Sequence, residues 1–285
     1  MCDDEIHVGR VQDPTFSRRT FGLMTVAAAG AATGAYAADV VEKDVAVKTP
    51  DGVADSALIY PSGKGTWPAV VIWPDIFGLR PVMREMGRRL AAQGYVVLVP
   101  NPFYRSAKAP VVPADFDFSK PESRAVLMGM RGAMSNDGID RDAAAYVAFL
   151  DAQPQTDRKK KVGVQGYCMG GPLSFRTAAA APGRIGAVAT FHGGGLTTKD
   201  PSSPHLLVAR TRAAYLVAIA KNDDANQPES KDILKATFAE AKRPAVVEVY
   251  AGNHGWCVKG SAVYNEAEAE RAWSALTQLY KKNLA

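Results

Sequence analysis

Short, uninterrupted apolar runs alternate with helix-spaced segments along most of this chain, and that rhythm constrains its fold more than any other feature. Trp67-Pro-Ala-Val-Val-Ile-Trp-Pro74 carries no polar alternation, so it reads as a strand covered on both faces. Val82 to Gln93 follows with helical spacing, its Arg and Glu residues outward, and Gly94 stops it. Tyr95 to Pro100 is a second buried strand. Further strands are expected at 161–165, 185–191, 214–220 and 246–250, and helices at 140–153, 173–181, 230–241 and 266–282. Such alternation predicts an α/β fold in one domain, with a mostly parallel sheet and helices on both faces. Residues 101–135 are Pro-rich and read as one irregular excursion of the kind that forms a lid or a site wall. Its Phe103, Tyr104, Phe116 and Phe118 suit either an apolar pocket wall or anchors that pack the excursion down.

Composition narrows the class. Hydrophobic residues are 47% and charged residues 22% of 285, which excludes a disordered chain, a collagen and a coiled coil. Three cysteines are too few for a disulfide-stapled scaffold. The net charge of +5 is spread, and the one dense basic tract, Arg158 to Lys161, reads as a solvated turn, so no nucleic-acid partner is expected. The first 37 residues read as an address. Arg18-Arg19-Thr-Phe21 precedes an uncharged Ala-rich stretch from Leu23 to Tyr36, and Ala35-Tyr-Ala37 offers a cleavage site. The paired arginines point to the twin-arginine export machinery and a periplasmic or secreted product. The apolar stretch falls short of the roughly 20 residues needed to span a bilayer, so no stable membrane insertion is expected after cleavage. Removing residues 1–37 takes away three basic and four acidic side chains, which raises the net charge to +6. It also removes Cys2 and leaves Cys168 and Cys257.

Between the strand ending at Gln165 and the helix near Leu173 lies Gly166-Tyr-Cys168-Met-Gly170-Gly, a nucleophile-elbow pattern with Cys as the nucleophile. A strand-to-helix turn this sharp leaves no room for side chains at its flanks, hence glycine on both sides. The thiol then sits at a helix N-terminus, where the dipole favours a thiolate. The Met169 amide points where a tetrahedral oxyanion forms. A nucleophile needs a base, and the base an orienting carboxylate. In chain order these are Asp223 or Asp224, just past the strand ending at Ala220, and His254, just past the strand ending at Tyr250. Counting from the strand end favours Asp223. His192 also follows a strand but precedes the acid, and reads as a pocket-wall or hydrogen-bonded residue. No metal-ligand cluster or cofactor motif stands out, so none is expected.

Cys168 in its Gly-Tyr-Cys-Met-Gly-Gly setting, Ala220-Lys-Asn-Asp223, His254-Gly-Trp256, Pro74-Asp-Ile-Phe-Gly-Leu-Arg80 and Pro102-Phe-Tyr-Arg105 together resemble the dienelactone hydrolase family, from about residue 45 to the C-terminus. The resemblance implies an α/β-hydrolase fold and a Cys-His-Asp hydrolase that opens small esters or lactones without a cofactor. It also implies that the carboxylate of Asp75 meets the resting Cys168, that the Ile76 amide joins Met169 in the oxyanion hole, and that Arg105 and Trp256 lie at the substrate. This chain departs from the family at three places. Asp75 stands where the family has Glu, Val258 stands where a second carboxylate-binding Arg is expected, and an export signal precedes the domain. A vestigial scaffold that binds a small molecule is the alternative. A redox bridge between Cys168 and Cys257 is set against a buried, inert Cys257. A monomer is the default.

Overall fold

The computed structural model describes residues 39–113 and 116–284; the export signal read at 1–37 lies outside them. The chain opens with a hairpin of β1 (Val40–Thr49) and β2 (Gly52–Pro61), followed by β3 (Ala69–Trp73), α1 (Pro81–Ala91) and β4 (Val96–Pro100). Helices α2 (Pro121–Gly132) and α3 (Asn136–Asp151) lead to β5 (Val162–Tyr167), α4 (Gly170–Ala180) and β6 (Ile185–Phe191). After a 3-10 turn at Pro204–Arg210 come β7 (Ala214–Ala220), α5 (Lys221–Asn226), α6 (Ser230–Glu240), β8 (Ala245–Tyr250) and α7 (Glu266–Asn283). All eight strands form one sheet in the order β1-β2-β4-β3-β5-β6-β7-β8. β1–β2 and β2–β4 pair antiparallel, and every pairing from β4 to β8 is parallel.

The apolar runs form central strands because side chains on both faces are buried. Val71 and Trp73 of β3 enter one core with Tyr146 and Val147 of α3 and Leu173 and Phe175 of α4. Val70 and Ile72 enter the other with Met83 and Leu90 of α1 and Leu276 and Tyr280 of α7. Helix starts follow local chemistry. The Ser135 hydroxyl accepts from the Gly138 amide and begins α3 four residues before the expected Asp140. The Asn265 side chain caps α7, which carries Glu266 and Glu268 in its first turn and Lys281 and Lys282 in its last.

Two features differ from the sequence reading. The hairpin β1–β2 is absent from that reading: β1 is half exposed and alternates, as an edge strand does, while β2 carries the buried apolar run Ala57-Leu-Ile-Tyr60. The 101–135 excursion contains the helix α2, started by Pro121 at its first position. Its only fully buried side chain is Leu127, so it has no apolar stripe to betray it. Phe116 and Phe118 are buried edge-on against Phe77, at 6.1 and 5.5 Å between ring centroids. Phe103 is also buried, so these rings anchor the excursion to the β3–α1 loop rather than lining an open wall.

Candidate active site

The C-terminal ends of the parallel strands carry the chemistry-bearing side chains. β5 ends at Tyr167, and the next residue, Cys168, has φ of +50°. That left-handed backbone is rare outside glycine and costs on the order of 1–3 kcal/mol, which the surroundings must offset. A Cβ on Gly166 would fall 1.9 Å from the Gly170 carbonyl oxygen, and one on Gly170 would fall 2.4 Å from that of Trp73. Backbone on both sides, not side chains, dictates glycine at the elbow. The Gly171 amide donates to the Cys168 carbonyl at 3.0 Å, so α4 starts directly under the thiol. Neither the Ile76 nor the Met169 amide N–H donates to another described residue.

His254 follows β8 and is tied in place twice. Its amide donates to Oδ1 of Asn222 at 2.8 Å, and its Nδ1 lies 2.8 Å from Oδ2 of Asp223. Asp224 turns away and holds the Lys231 ammonium at 2.8 and 2.9 Å, so of the two carboxylates Asp223 is the one on the histidine. Burial works against charging the imidazole. Negative charge at Cys168 and the hydrogen bond to Asp223 outweigh it, and the pKa stands well above the ordinary histidine value. Nε2 is buried, and a side-chain hydrogen bond with Cys168 adds to the raising. Cys168, His254 and Asp223 thus come from the ends of β5, β8 and β7, an arrangement able to perform acyl transfer.

The residues expected at the substrate fare differently. The Asp75 carboxylate takes a two-pronged ion pair from Arg80, at 2.6 and 2.8 Å, and accepts the Phe77 amide at 3.0 Å. Both side chains of the pair are buried, and no hydrogen bond joins Asp75 to Cys168. The shorter Asp serves as the anchor of the loop between β3 and α1. Replacing Arg80 by Met should therefore strand a buried carboxylate and cost about 3–5 kcal/mol in urea unfolding. A loss under 1 kcal/mol would show that the pair does not organise this loop. Arg105 is likewise spoken for: it binds Asp142 at 2.7 and 2.9 Å and Asp51 at 2.6 Å, and cannot clamp a carboxylate without breaking that network. Trp256 is fully buried, stacked on Tyr250 at 5.3 Å, and is core rather than substrate surface.

Cys257 is a free thiol, as is Cys168, and they pack into cores on opposite faces of the sheet. Burial pushes the Cys257 thiol well up, with the charge of Asp75 adding to it. It borders a cleft of about 580 Å³ between α1 and α7 that Cys168 does not line. His192 is the residue whose place the sequence left open. It is 1% exposed, with its ring centroid 4.7 Å from that of His254. Among the described residues no group of three or more His, Cys, Asp and Glu could hold a metal ion.

Known proteins resemble this chain in sequence and fold. The model of the dienelactone hydrolase family matches residues 55–284. The carboxymethylenebutenolidase of Pseudomonas sp. (strain P51) is 29% identical over 216 residues, which is 75% of this chain and 84% of that protein. The carboxymethylenebutenolidase of Rhodococcus opacus is 26% identical over 227 residues, covering 78% and 84%. The structure of a dienelactone hydrolase-like promiscuous phosphotriesterase from metagenomic libraries has a TM-score of 0.70 at 24% identity, covering 86% of this chain and 99% of that one. The dienelactone hydrolase of Anabaena variabilis has a TM-score of 0.59 at 14% identity with the same coverage. These two structures establish likeness of fold.

Proposed function

This chain belongs to the dienelactone hydrolase family and is a carboxylic ester or lactone hydrolase, and from that premise we propose that it works through a Cys168 thioester, on neutral substrates, after export. The observation that carries the reading is the 2.8 Å contact of Asp223 with His254, beside a cysteine held at an elbow. The sulfur of Cys168 attacks the carbonyl carbon as its proton passes to Nε2 of His254. The tetrahedral oxyanion accepts the amides of Ile76 and Met169. Collapse breaks the carbon–oxygen ester bond, and His254 gives its proton to the departing alkoxide. Water then attacks the thioester, losing a proton to His254, and releases the acid and the thiol.

Neutral substrates follow from two absences of free positive charge. Arg105 is held by Asp142 and Asp51, and the second clamp position is the buried, apolar Val258. Each missing charge-assisted contact is worth about 1.5–3 kcal/mol, or roughly tenfold to a hundredfold in kcat/KM. The twin-arginine signal at Arg18-Arg19 supports export, and a monomer remains the default.

The test is to express the full chain, separate the osmotically released fraction from the retained one, and assay both. The panel is p-nitrophenyl acetate, p-nitrophenyl butyrate, a γ-lactone and cis-dienelactone. Activity in the released fraction with neutral esters at least about tenfold above cis-dienelactone in kcat/KM is expected. Preference for cis-dienelactone would overturn the neutral-substrate reading, and activity confined to the retained fraction would overturn export.

A further inference from the structure

We propose that His192 holds the water that hydrolyses the acyl-enzyme, so that this site resolves its thioester with two histidines rather than one. The inference rests on the Cys168 thioester reading above.

His192 and Cys168 leave the sheet at the same level. Tyr167 of β5 pairs with Phe191 of β6 and their rings stack at 5.0 Å; Cys168 and His192 are the next residues. The Cys168 amide donates to the Phe191 carbonyl at 3.0 Å, and the His192 amide to the Ala218 carbonyl at 2.8 Å. Both residues have left-handed backbone, φ of +50° and +41°. A histidine held in that region marks a turn fixed by its surroundings, since relaxing it would relieve strain. The fixing is visible in the next residues. A Cβ on Gly193 would meet the Thr190 hydroxyl at 2.3 Å, and one on Gly171 of α4 would meet Gly193 at 2.7 Å. The loop after β6 is thus pressed against the start of the helix that carries the nucleophile.

The side chain is what needs explaining. His192 is 1% exposed, and neither Nδ1 nor Nε2 has a hydrogen-bond partner. Buried imidazoles without partners are costly, so the ring is retained for a ligand that the protein itself does not supply. Its neighbours say which ligand. The rings of Trp256 and Tyr167 lie at 5.3 and 6.2 Å and offer no acceptor to it, while His254 lies at 4.7 Å, its Nδ1 on Asp223 and its other side-chain partner Cys168. In the acyl-enzyme, where the Cys168 sulfur no longer shares a proton with His254, one water about 2.8 Å from a nitrogen of each imidazole satisfies both rings. Burial and the nearby charge of His254 keep His192 neutral, so it retains a basic nitrogen to accept from that water.

In the step this serves, His254 Nε2 takes one proton from the water as its oxygen attacks the thioester carbonyl. The water's other hydrogen is held by His192. The tetrahedral intermediate then expels the Cys168 sulfur as the carbon–sulfur bond breaks, and the carboxylic acid departs. Acylation uses no water, so His192 is a positioning residue for one half of the cycle alone.

Stopped-flow hydrolysis of p-nitrophenyl butyrate separates the halves: the p-nitrophenol burst reports acylation, and the decay of the acyl-enzyme mass reports deacylation. His192→Phe keeps a ring without nitrogens; His192→Asn accepts left-handed backbone and retains a hydrogen-bonding group. In His192→Phe we expect a burst rate within about twofold of wild type and deacylation slowed about tenfold or more, with His192→Asn between them. The decay constant is read per acylated site, so partial misfolding of either variant does not mask the result. Wild-type deacylation rates in both variants, or equal slowing of burst and decay, would overturn the role of His192 while leaving the thioester intact. A wild-type enzyme that hydrolyses the ester with no acyl-Cys168 would instead remove the reading on which this one rests.

Discussion

Cys168→Ala should lose ester turnover by on the order of 10⁴-fold or more, with no acyl-enzyme detectable by mass spectrometry. The size follows from how the site is organised. In the proposed mechanism Asp223 orients His254 and His254 serves the sulfur; without the sulfur neither has a bond to make, so the loss is that of the whole unit. Folding should not suffer, because the substitution removes only a partly exposed thiol and keeps the elbow backbone. The same variant carries a second readout. Charge at Cys168 is the chief influence raising the His254 pKa against burial. With that charge gone, the imidazole should titrate lower than in wild type, as followed by its ring-proton NMR signals across pH. An unchanged His254 titration would mean that sulfur and imidazole do not form the pair described above, and near-normal turnover would reject the cysteine mechanism outright.

The parts of this molecule legible in the sequence are those where one local force decides. Central strands such as Ala69–Trp73 and Val96–Pro100 are buried on both faces, so their apolar runs announce them. The elbow is equally plain, because backbone crowding at Gly166 and Gly170 admits no other residue. Where two forces compete, or a distant partner decides, reading fails. The edge strand β1 alternates like many exposed segments, and α2 buries a single leucine. Arg105 sits in a motif that suggested a substrate contact, yet Asp51 and Asp142 lie 54 and 37 residues away in sequence and capture it in space. Trp256 follows the base by two residues, but the Tyr250 ring beneath it draws it into the core. His192 was visible as a residue after a strand. Its nearness to His254 depends on the register of β6, β7 and β8, which no local pattern records.

Replacing the two adjacent carboxylates should have opposite consequences. Asp223→Asn should lower kcat about 10³–10⁴-fold, with stability little changed. An amide presented to Nδ1 of His254 can donate where the carboxylate only accepts. It would then favour the tautomer with Nδ1 bare and the proton on Nε2, the nitrogen that must accept from the thiol and later from water. The ring would stay in place but in the wrong protonation state, so kcat should fall far more than KM rises. Asp224→Asn breaks only a partly exposed ion pair with Lys231, worth at most about 1 kcal/mol, and should leave kcat within about twofold. The pair of variants thus isolates geometry from charge: both remove one negative charge at neighbouring positions of α5, and only the residue touching His254 should matter. Equal losses in the two would mean that the site depends on the summed charge of that helix, and the orienting role of Asp223 would have to be abandoned.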